Sequence, residues 1–305
     1  NVTNNSDIRT VMNHIPDHSR FLYGALTRFS TENTMQFFEE LGVPLKTERG
    51  NRVFPVSDKA GDIVAALDRQ CRVLGVQILH ERVQALLVED GVAVGVKTAN
   101  ATYRSDSVIV CTGGRSYAQT GSDGDGYRFA TDAGHTVTPR HPSLVPLVAE
   151  GKLCASLQGL SLKNVRLRVL SKDGGKPLYE DFGEMLFTHF GVSGPLVLEA
   201  SCHLPEPPAG SEMLLNLKPG LTAQQLDARL MREFTEQSRK QLRNVLPALL
   251  PGRMAEIFAD ICGVDGMKPC DQITRQERDT LCQMMQALPV HVKRARPLDE
   301  AIVTR

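Results

Sequence analysis

The chain reads as an α/β protein joined to a β-rich one, and three features of its hydrophobic pattern carry that reading. Apolar residues recur at helical spacing up to about residue 75 and then alternate with period two. A continuous apolar run, Ser107-Val-Ile-Val-Cys111, follows, as in a strand buried on both faces of a parallel sheet. From Pro139 the pattern is β-like with many breakers, except between residues 222 and 288, where the helical period returns. A length of 305 residues leaves room for two or three domains with cores of their own. The expected division is an α/β part at 1–138, a compact β-barrel-like part at 139–221 and 289–305, and a helical subdomain at 222–288.

In chain order, residues 31–42 form a helix, with Phe37, Phe38 and Leu41 on one side and Gly42 as the C-terminal stop. Ser57 is a good N-cap for a second helix carrying Ile63, Val64, Leu67, Cys71 and Leu74, ended by Gly75. Residues 76–105 make an antiparallel meander from Val76–Leu79, Val83–Val88 and Val92–Lys97, with a hairpin turn at Asp90-Gly91. The buried strand at 107–111 closes the α/β part. Val165, Leu167 and Val169 alternate before an Asp173-Gly-Gly175 turn, and Met213, Leu215 and Leu217 alternate later. Thr222-Ala-Gln-Gln225 is a capping box opening a helical stretch with Leu226, Leu230, Phe234, Leu242, Val245 and Leu246. Met254, Ile257, Phe258 and Ile261 lie on a second helix; Thr274-Arg-Gln-Glu277 caps a third, with Leu281, Met284, Met285 and Leu288. Strand-like runs at Val290–Val292 and Ala301–Val303 return the chain to the barrel, so the helices are an insertion.

Composition narrows the function classes. The 35 basic and 35 acidic side chains balance, which removes the electrostatic argument for nucleic acid or an anionic membrane as main partner. No apolar run approaches the roughly 20 residues that span a bilayer. Seven cysteines without a C-x-x-C pair read as reduced core thiols of a cytoplasmic protein, and no metal site is expected.

Chemistry concentrates in two stretches. Thr112-Gly113-Gly114 follows the apolar run, and Thr120-Gly121-Ser-Asp-Gly-Asp125-Gly126 precedes a short helix ended by Gly134. Ligands of open α/β sheets bind beyond the carboxyl ends of strands, where glycine admits close backbone approach and a threonine hydroxyl adds a hydrogen bond. The same glycines equally serve a tight turn. Asp123 and Asp125 would repel a pyrophosphate, so Asp125 is read as an N-cap, with Gly124 and Gly126 meeting a flat, less charged part of a ligand. No G-x-G-x-x-G is present, and the later Glu of a calcium loop is missing. The second stretch, Phe182 to Pro195, sets Thr188, His189 and Ser193 among glycines. His189 can carry a proton near neutral pH or simply satisfy a turn; Ser193 lacks the G-x-S-x-G elbow of a hydrolase.

Together these stretches resemble the BaiN-like NAD(P)/FAD-dependent oxidoreductases, also described as aminoacetone-oxidase-like FAD-binding flavoproteins. The resemblance runs through the whole chain on Asn1-Val-Thr-Asn4, Arg52 to Ala60, Val108 to Gly114 with Ser116-Tyr117, Thr120 to Tyr127 with Gly134-His135, Pro142 to Pro146, and Phe187 to Pro195. Cys111 and Ala118 depart from the family's usual Ala and Pro. The resemblance implies a partial, Rossmann-like FAD-binding domain of the glutathione-reductase-like class, an inserted β-barrel-like domain and a helical insertion within that. It implies cofactor contacts from Asn1, Thr3 and Asn4, from the backbone of Val83, from Thr112, Gly113 and Gly114, and from Thr120, Gly121, Asp125 and Gly126. His189 and Ser193 belong to a family motif and are the candidate catalytic residues.

The function so implied is flavin-mediated hydride or electron transfer between NAD(P)H and a small organic substrate or oxygen. The family's G-x-G-x-x-G segment would precede Asn1 and a second FAD segment would follow Arg305, so this chain is expected to act as a fragment, inactive alone and binding FAD weakly or not at all. The alternative is a flavoprotein-derived module that recognises a macromolecule such as RNA through Arg229, Arg232, Arg239, Lys240 and Arg243. Their interleaving with Asp227, Glu233 and Glu236 favours a solvated helix face.

Overall fold

The computed structural model describes residues 1–171 and 176–305, so the expected Asp173-Gly-Gly175 turn lies outside the described residues. The chain divides into two units, residues 1–84 with 96–103, and residues 85–95 with 104–305.

The first unit runs β1 (Thr3–Asn4), α1 (Ile8–Asn13), α2 (Ser19–Arg28), α3 (Thr31–Glu40), β2 (Leu45–Glu48), β3 (Arg52–Pro55) and α4 (Ala60–Val73). The strands form an antiparallel sheet with β3 in the centre. Asp7 caps α1 by accepting the Thr10 N–H. Ser30 and Asn33 cap α3 reciprocally, and Gly42, at φ 81°, turns the chain out of it. Ser57 is not the cap of α4, which begins at Ala60; its hydroxyl donates to Asp62 Oδ2 at 2.5 Å. Of the apolar stripe of α4, Val64, Leu67 and Leu74 stand exposed and Ala66 is buried.

The meander is β4 (Val83–Glu89), β5 (Val92–Thr98) and β6 (Thr102–Arg104), and the boundary between the units runs through it. Asp90 and Gly91 both take positive φ, 49° and 78°, which matches the right-handed twist of the arms. The meander begins at Val83 rather than at 76: Val76–Leu79 is irregular and exposed. The apolar run at 107–111 is also no strand, with Ile109 86% exposed. A ladder needs a partner for its N–H and C=O groups, and among the described residues neither segment has one.

The second unit continues with α5 (Asp125–Asp132), β7 (Pro142–Ser143), β8 (Leu147–Ala149), α6 (Leu153–Ser156), β9 (Ser161–Leu170), β10 (Tyr179–Phe187), β11 (Gly191–Ser193), α7 (Pro195–Ser201) and β12 (Glu212–Asn216). Four helices follow, α8 (Ala223–Glu236), α9 (Leu242–Val245), α10 (Gly252–Ile261) and α11 (Arg275–Gln286), then β13 (Leu288–Ala295) and β14 (Val303–Thr304). Six strands close a barrel in the order β10-β11-β8-β13-β12-β9. Alternate residues fill it, among them Val165, Leu167, Val169, Met185, Phe187 and Met213, and the same core extends through Leu230, Phe258, Leu281 and Met285 of the helices. Closure at β11 requires Gly191, because a Cβ there would strike the Leu147 carbonyl oxygen and sit 2.6 Å from Ala149 N. Thr222 with Gln225 and Thr274 with Glu277 both form reciprocal capping boxes. The last strand does not join the barrel: β14 pairs with β7, Val303 opposite Ser143 and Thr304 opposite Pro142.

Among the described residues, no helix is long and apolar enough to cross a membrane, and no group of three His, Cys, Asp or Glu side chains could hold a metal ion.

Candidate functional site

The glycine-rich loop ahead of α5 and the end of the chain build one cleft of about 760 Å³ within the second unit. They are stitched together across almost the whole of it. The Arg115 N–H donates to Thr304 Oγ1 at 3.0 Å, and Ser116 Oγ donates to the Ile302 carbonyl at 3.4 Å. Glycine is what lets these strands of chain meet. A Cβ on Gly114 would lie 2.8 Å from Thr304 Oγ1, and one on Gly113, at φ 72°, would lie 2.6 Å from Ser122 Oγ. Gly126 faces the Thr112 hydroxyl in the same way. Tyr117 adopts the left-handed conformation, φ 54°, which costs a non-glycine residue about 1–2 kcal/mol. Thr120 holds that turn, its N–H and its hydroxyl both donating to the Tyr117 carbonyl at 2.8 Å.

The lining of this cleft is hydroxyl groups, peptide groups and apolar carbon, with no charged side chain. Charge sits in a neighbouring cleft of about 690 Å³. There Arg128 contacts Asp125 at 3.0 Å and Asp132 at 3.6 Å, and Arg140 lies 5.0 Å from the centre of the Tyr127 ring. Asp125 is the first residue of α5, not its cap; the cap is Gly124, and the Asp125 N–H donates to Asp123 Oδ1. A carboxylate in the first turn is stabilised by the helix dipole, and it occupies the place where a phosphate would otherwise be held. The uncharged lining of the first cleft therefore suits a neutral, flat, hydrogen-bonding group, and the carboxylates stand in the neighbouring one.

The structure brings Thr112, Gly113, Gly114, Thr120 and Gly126 together along this cleft. Gly121 lies outside its lining, and Asp125 lines the neighbouring one. Asn1, Thr3, Asn4 and Val83 belong to the first unit. Asn4 donates from Nδ2 to the Gly50 carbonyl and accepts from Ser6 Oγ, and Val83 opens β4. His189 is exposed, edge-on to Phe190 at 5.0 Å, and Ser193 sits in the barrel opposite Leu186. Neither lines this cleft. Ser122, Tyr127 and Ile302–Thr304 are cleft residues absent from the sequence-based set. The first two carried a signal, hydroxyl-bearing residues interleaved with glycine. The third did not, since nothing local shows that residues 302–304 return to residues 114–116.

Family comparison fits this architecture. A model described as the HI0933-like protein Rossmann domain matches residues 1–203, and one described as the HI0933-like protein barrel and H2TH domain matches residues 141–303. A 3-dehydro-bile acid delta(4,6)-reductase of Clostridium scindens is 33% identical over 185 residues, 60% of this chain and 44% of that protein. Ribosomal RNA dihydrouridine synthases of Haemophilus influenzae and Escherichia coli are each 26% identical, over 257 residues (82% of this chain, 61% of theirs) and 243 residues (80% and 58%). The chain thus spans about half the length of these relatives.

Proposed function

The chain belongs to the HI0933-like family, with a Rossmann-like part and a six-strand barrel, and from that membership we propose that it serves a cytoplasmic FAD-dependent oxidoreductase of the glutathione-reductase-like class. The uncharged, hydroxyl-lined cleft between residues 112–127 and 302–304 carries the proposal. FAD, when bound, supplies hydride transfer, with NAD(P)H as its source of electrons. The protein's share is positional. Gly113, Gly114 and Gly126 let backbone approach the ligand, and Thr112, Thr120, Ser122 and Thr304 offer hydroxyls to its polar edge. Contacts from Asn1, Thr3, Asn4 and Val83 are proposed on the motif resemblance alone. A delta(4,6)-reductase and a dihydrouridine synthase both name the saturation of a carbon–carbon double bond, so the substrate proposed here is a small organic molecule with a polarised double bond. A second reading places that double bond in a base of RNA, and a basic cleft on the helical insertion favours it.

Recovered as it occurs in the cell, the protein is expected to show flavin absorption, to release FAD on denaturation and to bleach under anaerobic NADH or NADPH. Absence of released flavin would overturn the proposal. The isolated 305-residue chain is proposed to bind FAD weakly or not at all and to be inactive, because Asp125 occupies the helix N-terminus where a pyrophosphate would be held; tight stoichiometric FAD in that chain would contradict this. His189→Ala is expected to slow turnover at unchanged FAD content, and unchanged turnover would leave His189 no catalytic part.

A further inference from the structure

The helical insertion borders a cleft of about 500 Å³ that shares no lining residue with the cleft proposed for flavin. One wall is the face of α8 bearing Gln225, Ala228, Arg229 and Arg232, whose spacing of three and four puts them on one side of the helix. The others are the turn at Lys218 and the segment Ala248–Leu249. That turn is fixed at both ends, since the Lys218 N–H donates to Asn216 Oδ1 at 2.8 Å and its carbonyl accepts the Leu221 N–H at 3.0 Å.

Three cations meet one carboxylate here. Arg229 Nη2 contacts Glu233 Oε1 at 2.7 Å, and Glu233, itself buried, also accepts from Gln237 Nε2. Arg229 Nε is buried without an acceptor. Lys218 and Arg232 have no carboxylate partner among the described residues. Burial first, and the charge of Arg229 second, push the Lys218 ammonium below its usual pKa. Of the other basic residues of this stretch, Lys240 donates to Gln237 and Arg243 to Gln241, and Arg239 is exposed and outside the cleft lining. Two uncompensated positive charges in a partly desolvated groove are relieved by an anion seated between them, and lysine with arginine is the pair that holds phosphate.

We propose that this cleft binds a phosphate group and that the phosphate belongs to an RNA backbone. The inference rests on the second substrate reading above. Arg232 and Gln225 stand at the exposed mouth of the cleft, which leaves a passing strand free access. A single local contact of this kind also needs no net basic charge on the chain, which has 35 cations and 35 anions.

Fluorescence anisotropy of the 305-residue chain with a labelled RNA hairpin, over a range of salt, tests it. Lys218→Gln and Arg232→Gln are each expected to weaken binding by roughly three- to tenfold and to lower the slope of log affinity against log salt by about one. Arg275→Gln, at an exposed site on α11 outside the cleft, is expected to change neither. Circular dichroism checks that the variants are folded, and Arg232→Gln, at the exposed mouth, stands if Lys218→Gln misfolds. RNA binding indifferent to both cleft substitutions overturns the proposal, as does equal weakening by Arg275→Gln. Uridine monophosphate and inorganic phosphate run in parallel separate the sources: their binding through Lys218, with none of RNA, overturns the RNA assignment. Anisotropy is read without flavin, so its failure leaves the oxidoreductase proposal standing, and a flavin-free protein that binds RNA here leaves this one standing.

Discussion

The barrel with its helices and the N-terminal unit were equally legible as patterns, yet they bury their apolar residues very differently. In the barrel and insertion, the residues at strand and helix spacing converge on one continuous core, from Val165 and Phe187 to Phe258 and Met285. In the first unit α3 forms where expected and α4 starts at Ala60, beyond the expected Ser57 cap, while α1 and α2 lie outside the expected helices; Phe21, Val64, Val73 and Leu74 remain largely exposed, and the core is little more than Val43, Val53 and Ala66. The difference teaches that periodicity specifies a local conformation, while burial depends on whether a partner surface exists.

That contrast sets the order of expected effects. Phe258→Ala empties a fully buried site of the shared core and is expected to cost about 3–5 kcal/mol in urea unfolding. Leu74→Ala, a similar truncation on α4's exposed end, should stay within about 0.5 kcal/mol. Comparable losses at the two positions would break the comparison. Thr274→Ala removes the capping box of α11 and is expected to cost about 1 kcal/mol. The smallest effect is a pH dependence. Hydrogen bonds from the Lys268 ammonium, and then from the Thr274 backbone, hold the Glu277 carboxyl below its ordinary value. A lowered folded pKa stabilises above the unfolded value and is lost as pH falls through the folded one. The stability gap between the native chain and Glu277→Gln should therefore be full at pH 7 and shrink below about pH 4; a gap that grows with acidity would contradict the Lys268 contact.

Sequence showed the elements whose cause is local. The capping boxes at Thr222 and Thr274, the Asp90-Gly91 turn and the glycine stops at Gly42 and Gly75 are written in four or fewer neighbouring residues. It failed where the cause is distant. Ser107–Cys111 has the composition of a buried strand but meets no ladder partner among the described residues, and Ala301–Val303 reads as a return to the barrel, whereas Val303 and Thr304 pair with β7 and line the cleft instead. The glycines of the Phe187–Pro195 motif looked like part of a site, whereas Gly191 is demanded by the approach of β11 to β8. Part of the cleft was legible for the opposite reason, since Thr112, Gly113, Gly114, Thr120 and Gly126 lie within one short stretch.

The central claim is that residues 112–127 and 302–304 together receive a flavin. Hydrogen exchange of the 305-residue chain, with and without excess FAD, tests it most directly when repeated on Gly114→Val, whose side chain would strike Thr304 Oγ1 and push the two segments apart. The expected result is slowed exchange at both segments together in the native chain and at neither in the variant. Slowing confined to other segments, or unchanged in Gly114→Val, would contradict the assignment.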